Sequence, residues 1–129
     1  MLRSLHIENY VLIDSLDVDF PEGLVIITGR TGAGKSILLG ALSLLTGAKA
    51  DASLISEGAD SLIVEGEFQV KGSKAVRELL EDAGVEYEDG EILIRRVVHR
   101  SGRSRAFVND CPCSTGVLGE LASYLIDIH

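Results

Sequence analysis

The eight residues Gly29-Arg30-Thr31-Gly32-Ala33-Gly34-Lys35-Ser36 fit the pattern Gly-x-x-x-x-Gly-Lys-Ser, and nothing else in the 129-residue chain restricts its fold as tightly. A main chain that wraps phosphates with several N–H groups pointing inward comes closer than side chains permit, which is the use of Gly32 and Gly34. Lys35 is expected to reach the β- and γ-phosphates, and the Ser36 hydroxyl to ligate Mg²⁺ alongside phosphate oxygens and water. The pattern carries weight only between a strand and a helix. Residues 24–28 (Leu-Val-Ile-Ile-Thr) supply an apolar, β-branched run of the kind buried on both faces of a partly parallel sheet. Residues 36–46, with Ile37, Leu38, Ala41, Leu42, Leu44 and Leu45, supply a mostly apolar helix, and Gly47 suits the left-handed position after its last turn. The N-terminus of that helix adds its partial positive charge at the anion. All eight residues are therefore candidate nucleotide contacts, and Ser36 is the candidate metal ligand.

Around this unit the pattern predicts strands at 5–13 and 16–20, an irregular stretch over 48–61, and a strand at 62–70 with Glu65 and Glu67 on one side. Ser73 caps a short helix with Val76, Leu79, Leu80 and Ala83 on one stripe and Gly84 as its stop. Strands at 91–99 and 105–109 form a hairpin about Ser101-Gly102. Ser114 or Thr115 caps a last helix, and residues 124–128 read as one more strand. The expected fold is α/β, a mixed, strongly twisted sheet around the phosphate-loop strand, in one domain.

Twenty acidic against twelve basic residues, a formal charge of −8, exclude a surface that binds nucleic acid all over. A basic site has to be local, and five of the twelve cations, Arg95, Arg96, Arg100, Arg103 and Arg105, do fall within eleven positions, with His99 among them. Two readings stand: arginines offered to a phosphate backbone, or a solvated hairpin whose arginines pair with Glu86, Glu88 and Asp89. Strand alternation sends Arg95 and Arg96 to opposite faces, so they cannot share one surface. Cys111 and Cys113, one proline apart, have neither zinc-knuckle nor Cys-x-x-Cys spacing and read as free thiols of a reducing cytoplasm. His6, His99 and His129 are isolated, without metal-ligand spacing. No apolar run approaches the roughly 20 residues of a membrane span.

The class of phosphate-loop protein is narrowed by what is missing. Neither Asn-Lys-x-Asp nor Asp-x-x-Gly occurs, which argues against a GTPase, and the Leu-Ser-Gly-Gly signature is absent. Asp127 follows an apolar run, but no glutamate follows it; it is either a Walker B acid or the end of a strand. A self-contained phosphotransferase, with the arginines between 95 and 105 mistaken for a lid, is the rival reading. At least two strands before the loop argue against it.

Four segments carry a resemblance: Leu5-His6-Ile7-Glu8-Asn9-Tyr10-Val11-Leu12-Ile13, Phe20-Pro21-Glu22-Gly23-Leu24, the phosphate loop with Thr28, and Gly102-Arg103-Ser104-Arg105-Ala106-Phe107-Val108-Asn109. Together they resemble the RecN family of bacterial DNA repair proteins, which belongs with the SMC-like ABC ATPases. The resemblance runs from residue 1 to 129 and implies the N-terminal lobe of an ATPase head, cut from a longer protein. That protein would continue into a coiled coil and a C-terminal lobe bearing the signature, Walker B and switch histidine. It places the Q-loop glutamine just past His129, and by it Asp127 is not Walker B. It further implies ATP and Mg²⁺ as cofactors and two partners, the chain's own C-terminal lobe and a second head. The setting it implies is double-strand-break repair and recombination in the bacterial cytoplasm, at the nucleoid, with DNA engaged through the full-length protein. The 129 residues alone would be inactive. Lys49 is similar to a basic position in SMC heads and joins Arg100, Arg103 and Arg105 as a candidate DNA or partner contact. Arg30 departs from the glutamate usual in this family's loop.

Overall fold

The computed structural model describes residues 1–21, 33–70, 72–87 and 90–125, with the backbone alone for 33–35. The chain runs β1 (Leu2–Tyr10), β2 (Ile13–Asp19), α1 (Ala33–Leu45), a 3-10 turn (Ala52–Leu54), β3 (Ser61–Val70), α2 (Lys74–Asp82), β4 (Gly90–His99), β5 (Ser104–Val108), β6 (Cys111–Cys113) and α3 (Thr115–Leu125). Six strands form one sheet in the order β2-β1-β3-β4-β5-β6, and every described pair is antiparallel. The run at 24–28, around which a mixed sheet was expected, lies outside the described residues.

Alternation sorts the sheet into two faces. Leu2, Leu5 and Ile7 of β1, Leu62, Val64 and Phe68 of β3, Ile92, Ile94 and Val98 of β4, and Ala106 and Val108 of β5 are buried in one core with residues from all three helices. The opposite face carries His6, Glu8, Glu65, Glu67, Arg95 and Arg105, none of them fully buried, as suits an antiparallel sheet with one side in water. α2 forms as its sequence predicts: the Ser73 hydroxyl accepts from the Val76 N–H at 3.2 Å, Val76 and Leu80 turn inward, and Gly84 takes φ 75°. In α3 the Ser114 hydroxyl accepts from the Val117 N–H at 3.3 Å.

Two expectations are corrected. The strand expected at 5–13 is two strands: β1 stops at Tyr10, Val11 and Leu12 make the turn, and Ile13 opens β2. Val11 sits at φ 52°, a conformation a β-branched residue adopts only at a cost, and no glycine or asparagine occupies the turn's centre to announce it. Residues 124 and 125 end α3 instead of opening a strand; Leu118, Leu121 and Leu125 share a helical face and are buried. Residues 126–128 of that expected strand lie outside the described residues. Within the irregular 48–61 stretch, Asp51 accepts from the Ser53 N–H at 2.9 Å, which caps a short 3-10 turn and holds its carboxyl below the usual range.

Candidate nucleotide-binding site

α1 begins at Ala33, so Ala33, Gly34, Lys35 and Ser36 form its first turn, while Gly29, Arg30, Thr31 and Gly32 lie outside the described residues. That turn contains no acidic residue. Its unpaired N–H groups therefore keep their full partial positive charge, and Ser36, the candidate metal ligand, stands exposed. A helix start of this kind can bind a polyanion, with a hydroxyl beside it for a hard cation.

Three contacts fix where α1 points. Near its middle, Gly40 faces the Tyr10 hydroxyl so closely that no Cβ fits between them; burial raises the Tyr10 pKa. Farther along, Leu45 lies over Gly66 of β3, where a Cβ would come within 2.7 Å of the leucine methyl. At the far end the helix closes on Gly47 at φ 94°, with Gly47 N–H donating to Leu44 O at 3.3 Å and Ala48 N–H to Ser43 O at 3.0 Å, the paired bonds of a Schellman ending.

The same end holds a residue whose role the sequence does not reveal. Arg96 is 2% exposed, and its guanidinium donates to Leu44 O and Ala48 O at 2.9 Å each and to the Ser104 hydroxyl at 3.1 Å. Burial lowers its pKa from the ordinary value. Leu44 and Ala48 offer carbonyls at the negative end of the α1 dipole, which compensates the buried charge. Alternation placed Arg95 and Arg96 on opposite faces, and they are; which of the two points inward is decided by the helix end waiting for it.

The remaining arginines divide by task. Arg95 lies 4.8 Å over the Phe107 ring and pairs with Glu65 and Asp110 at 3.8 and 3.3 Å, where the sequence suggested Glu86. Glu88 and Asp89 lie outside the described residues. Arg100, a candidate DNA contact, donates to Ala59 O and Ser56 O at 2.6–3.1 Å and so serves to hold the 56–60 loop. Arg103, Arg105 and Lys49 are exposed. Ala48 and Ser104 bond the same guanidinium on the helix-covered face of the sheet, whereas Arg105 belongs to the opposite face, so Lys49 and Arg105 do not share one surface. His6 is not isolated: it contacts Asp17 at 2.5 Å and Glu8 at 3.3 Å. Partial burial pulls its pKa down, but hydrogen bonds to both carboxylates and their charge outweigh that and raise it.

Among the described residues no group of three or more His, Cys, Asp or Glu side chains could hold a metal, and no helix is long and apolar enough to cross a membrane. Cys111 and Cys113 are free, and burial with the neighbouring Cys111 raises the Cys113 thiol pKa. Asp127 and His129 lie outside the described residues.

The profile of the AAA domain family matches residues 4–109. The chain is 41% identical over 125 residues to the DNA repair protein RecN of Streptomyces coelicolor, covering 97% of this chain and 22% of that protein. It is 35% identical over 131 residues to RecN of Haemophilus influenzae, covering all of this chain and 24% of that one. The chain thus spans under a quarter of the length of these relatives. Its fold matches that of a solved SMC ATPase, studied for ATP-driven dimerization and DNA-stimulated activation, with a TM-score of 0.68 at 22% identity over 95% of this chain and 78% of the other. Nothing in these likenesses favours the self-contained phosphotransferase.

Proposed function

Because this chain belongs to the AAA domain family and has the fold of an SMC head, we propose that it is the ATP- and Mg²⁺-binding half-site of an SMC-like ATPase that acts in DNA double-strand-break repair and recombination. The observation that carries the reading is the start of α1 inside the Gly-x-x-x-x-Gly-Lys-Ser pattern, with a first turn free of acids. Residues Gly29 to Ser36 cradle the triphosphate, Lys35 neutralises its β- and γ-phosphates, and Ser36 ligates the magnesium. Phosphoryl transfer is catalysed almost entirely by positioning and electrostatics, and this chain supplies the cradle without a group to orient water. The water-orienting groups come from the C-terminal lobe of the same protein, and the signature from a second head paired across ATP. Hydrolysis belongs to that assembly, in the bacterial cytoplasm at the nucleoid.

DNA contact, in this reading, falls to the exposed residues Lys49, Arg103 and Arg105, and Arg100 is left out of it because its donors already serve carbonyls. Calorimetry of Mg-ATP binding tests the core of the proposal. Wild type binds, Lys35→Ala loses most of the affinity, and the 129-residue chain alone releases no phosphate above background. Equal affinity in the two proteins, or turnover by the chain that Lys35→Ala abolishes, would overturn the half-site.

A further inference from the structure

Arg96 is costly where it stands. Among the described residues, this guanidinium, 2% exposed, has no carboxylate partner, and its Nε, also buried, has no hydrogen-bond partner. An aliphatic side chain of similar length would fill the slot without the desolvation penalty. What it could not do is hold three oxygens from two distant segments at once: Leu44 O and Ala48 O at the end of α1, and the Ser104 hydroxyl at the start of β5. α1 is a rigid rod of 13 residues, roughly 20 Å at 1.5 Å per residue. Its first turn lies in the phosphate-binding pattern and its last carbonyls rest on Arg96. Ser104 in turn lies between the exposed Arg103 and Arg105, and the turn before it closes through His99 N–H to Arg103 O at 2.7 Å.

We infer that Arg96 is a positioning residue that joins the far end of the phosphate-binding helix to the arginine turn at 99–105, so that ordering of α1 by a bound nucleotide also orders that turn. The inference rests on the reading of residues 29–36 as an ATP cradle. The link runs through one guanidinium. Its helix arm is two carbonyl bonds and its turn arm is one bond to Ser104, so the arms can be cut separately. Ordering passed along a rigid element changes protection without a change of shape, and amide hydrogen exchange reads it.

The experiment is hydrogen exchange on the full-length protein with and without saturating Mg-ATP, together with Mg-ATP affinity by calorimetry, for wild type, Ser104→Ala and Arg96→Lys. In wild type, Mg-ATP slows exchange over both 44–48 and 99–105. Ser104→Ala keeps the wild-type affinity and the protection of 44–48 but loses the nucleotide-dependent protection of 99–105. Arg96→Lys, whose ammonium cannot span both arms, weakens affinity roughly three- to tenfold and also loses protection at 99–105. Nucleotide-dependent protection of 99–105 that survives in both variants, or its absence in a wild type that binds Mg-ATP, overturns the inference alone. A wild type that binds no Mg-ATP overturns the cradle beneath it and the inference with it.

Discussion

Gly47→Ala tests how tightly the end of the phosphate-binding helix is built into the domain. Two costs add. Gly47 stands at φ 94°, and an L-residue there costs about 1–2 kcal/mol in steric strain. Its new Cβ would also lie 2.5 Å from Thr115 O and 3.2 Å from Gly119 N, backbone atoms of α3 that have no flexible side chain to swing aside. α1 and α3 must part by several tenths of an ångström, an overpacking cost of about 1–3 kcal/mol. The total, about 2–5 kcal/mol, is a large share of the roughly 5–15 kcal/mol typical of a domain. For a chain of this length it lowers Tm by roughly 6–25 °C. Gly102→Ala is the control: its φ is 92°, but nothing lies within 4 Å of the added Cβ, so strain acts alone and Tm falls by roughly 3–10 °C. Melting followed by circular dichroism compares the two. Equal shifts would refute the claim that contact with α3 contributes, and an unchanged Tm in Gly47→Ala would refute the strain argument as well.

Two further substitutions sort charges by role. His6 has a raised folded pKa, so its pairing with Asp17 and Glu8 stabilises fully below the unfolded value near 6.5 and is lost as pH rises through the folded value. Unfolding free energies of wild type and His6→Gln from urea denaturation should differ by about 0.5–1 kcal/mol at about pH 5.5 and converge toward about pH 9; a gap that widens with pH would reverse the assignment. Arg100→Ala removes the side-chain donor of the Ala59 carbonyl and leaves the Ser56 carbonyl with the Ala59 N–H alone, and should destabilise by about 0.5–1.5 kcal/mol, while Arg103→Ala stays within about 0.5 kcal/mol of wild type. Matching denaturation midpoints for these two variants would show that Arg100 is as free as its neighbour.

The elements whose residues announce their own ends were legible. α1 stops at Gly47, α2 is bounded by Ser73 and Gly84, and the β4–β5 hairpin turns about Gly102, each where a cap or a left-handed glycine sits in the sequence. Elements defined by a partner were not. β6 is three residues long with a proline at its centre, too short to show a period, and exists because Ala106 and Val108 pair with Cys113 and Cys111. The β1–β2 turn is built from valine and leucine and held from outside, by Val11 N–H donating to Leu54 O at 2.8 Å. The arginine cluster looked like one feature in the sequence. It is four: a buried helix anchor, an ion-paired arginine over Phe107, a loop clamp and an exposed pair. Charge counting cannot see which donors the backbone has already claimed. The 124–128 run misled because Leu118, Leu121 and Leu125, spaced for a helix, were weighed less than the apolar stretch that follows them.

The bond from Arg96 to Leu44 spans 52 residues, and that separation sets an order of events during synthesis. When α1 leaves the ribosome, neither the strand that accepts Leu45 over Gly66 nor the arginine that closes its last turn has emerged. At about 5–20 residues per second, Leu44 waits roughly 3–10 s for Arg96. Until β3 follows, a helix apolar on most of its circumference has, among the described elements, only the β1–β2 hairpin to rest on. The nascent chain is then most exposed to aggregation and to chaperone capture, and a translational pause between residues 47 and 61 would prolong that exposure.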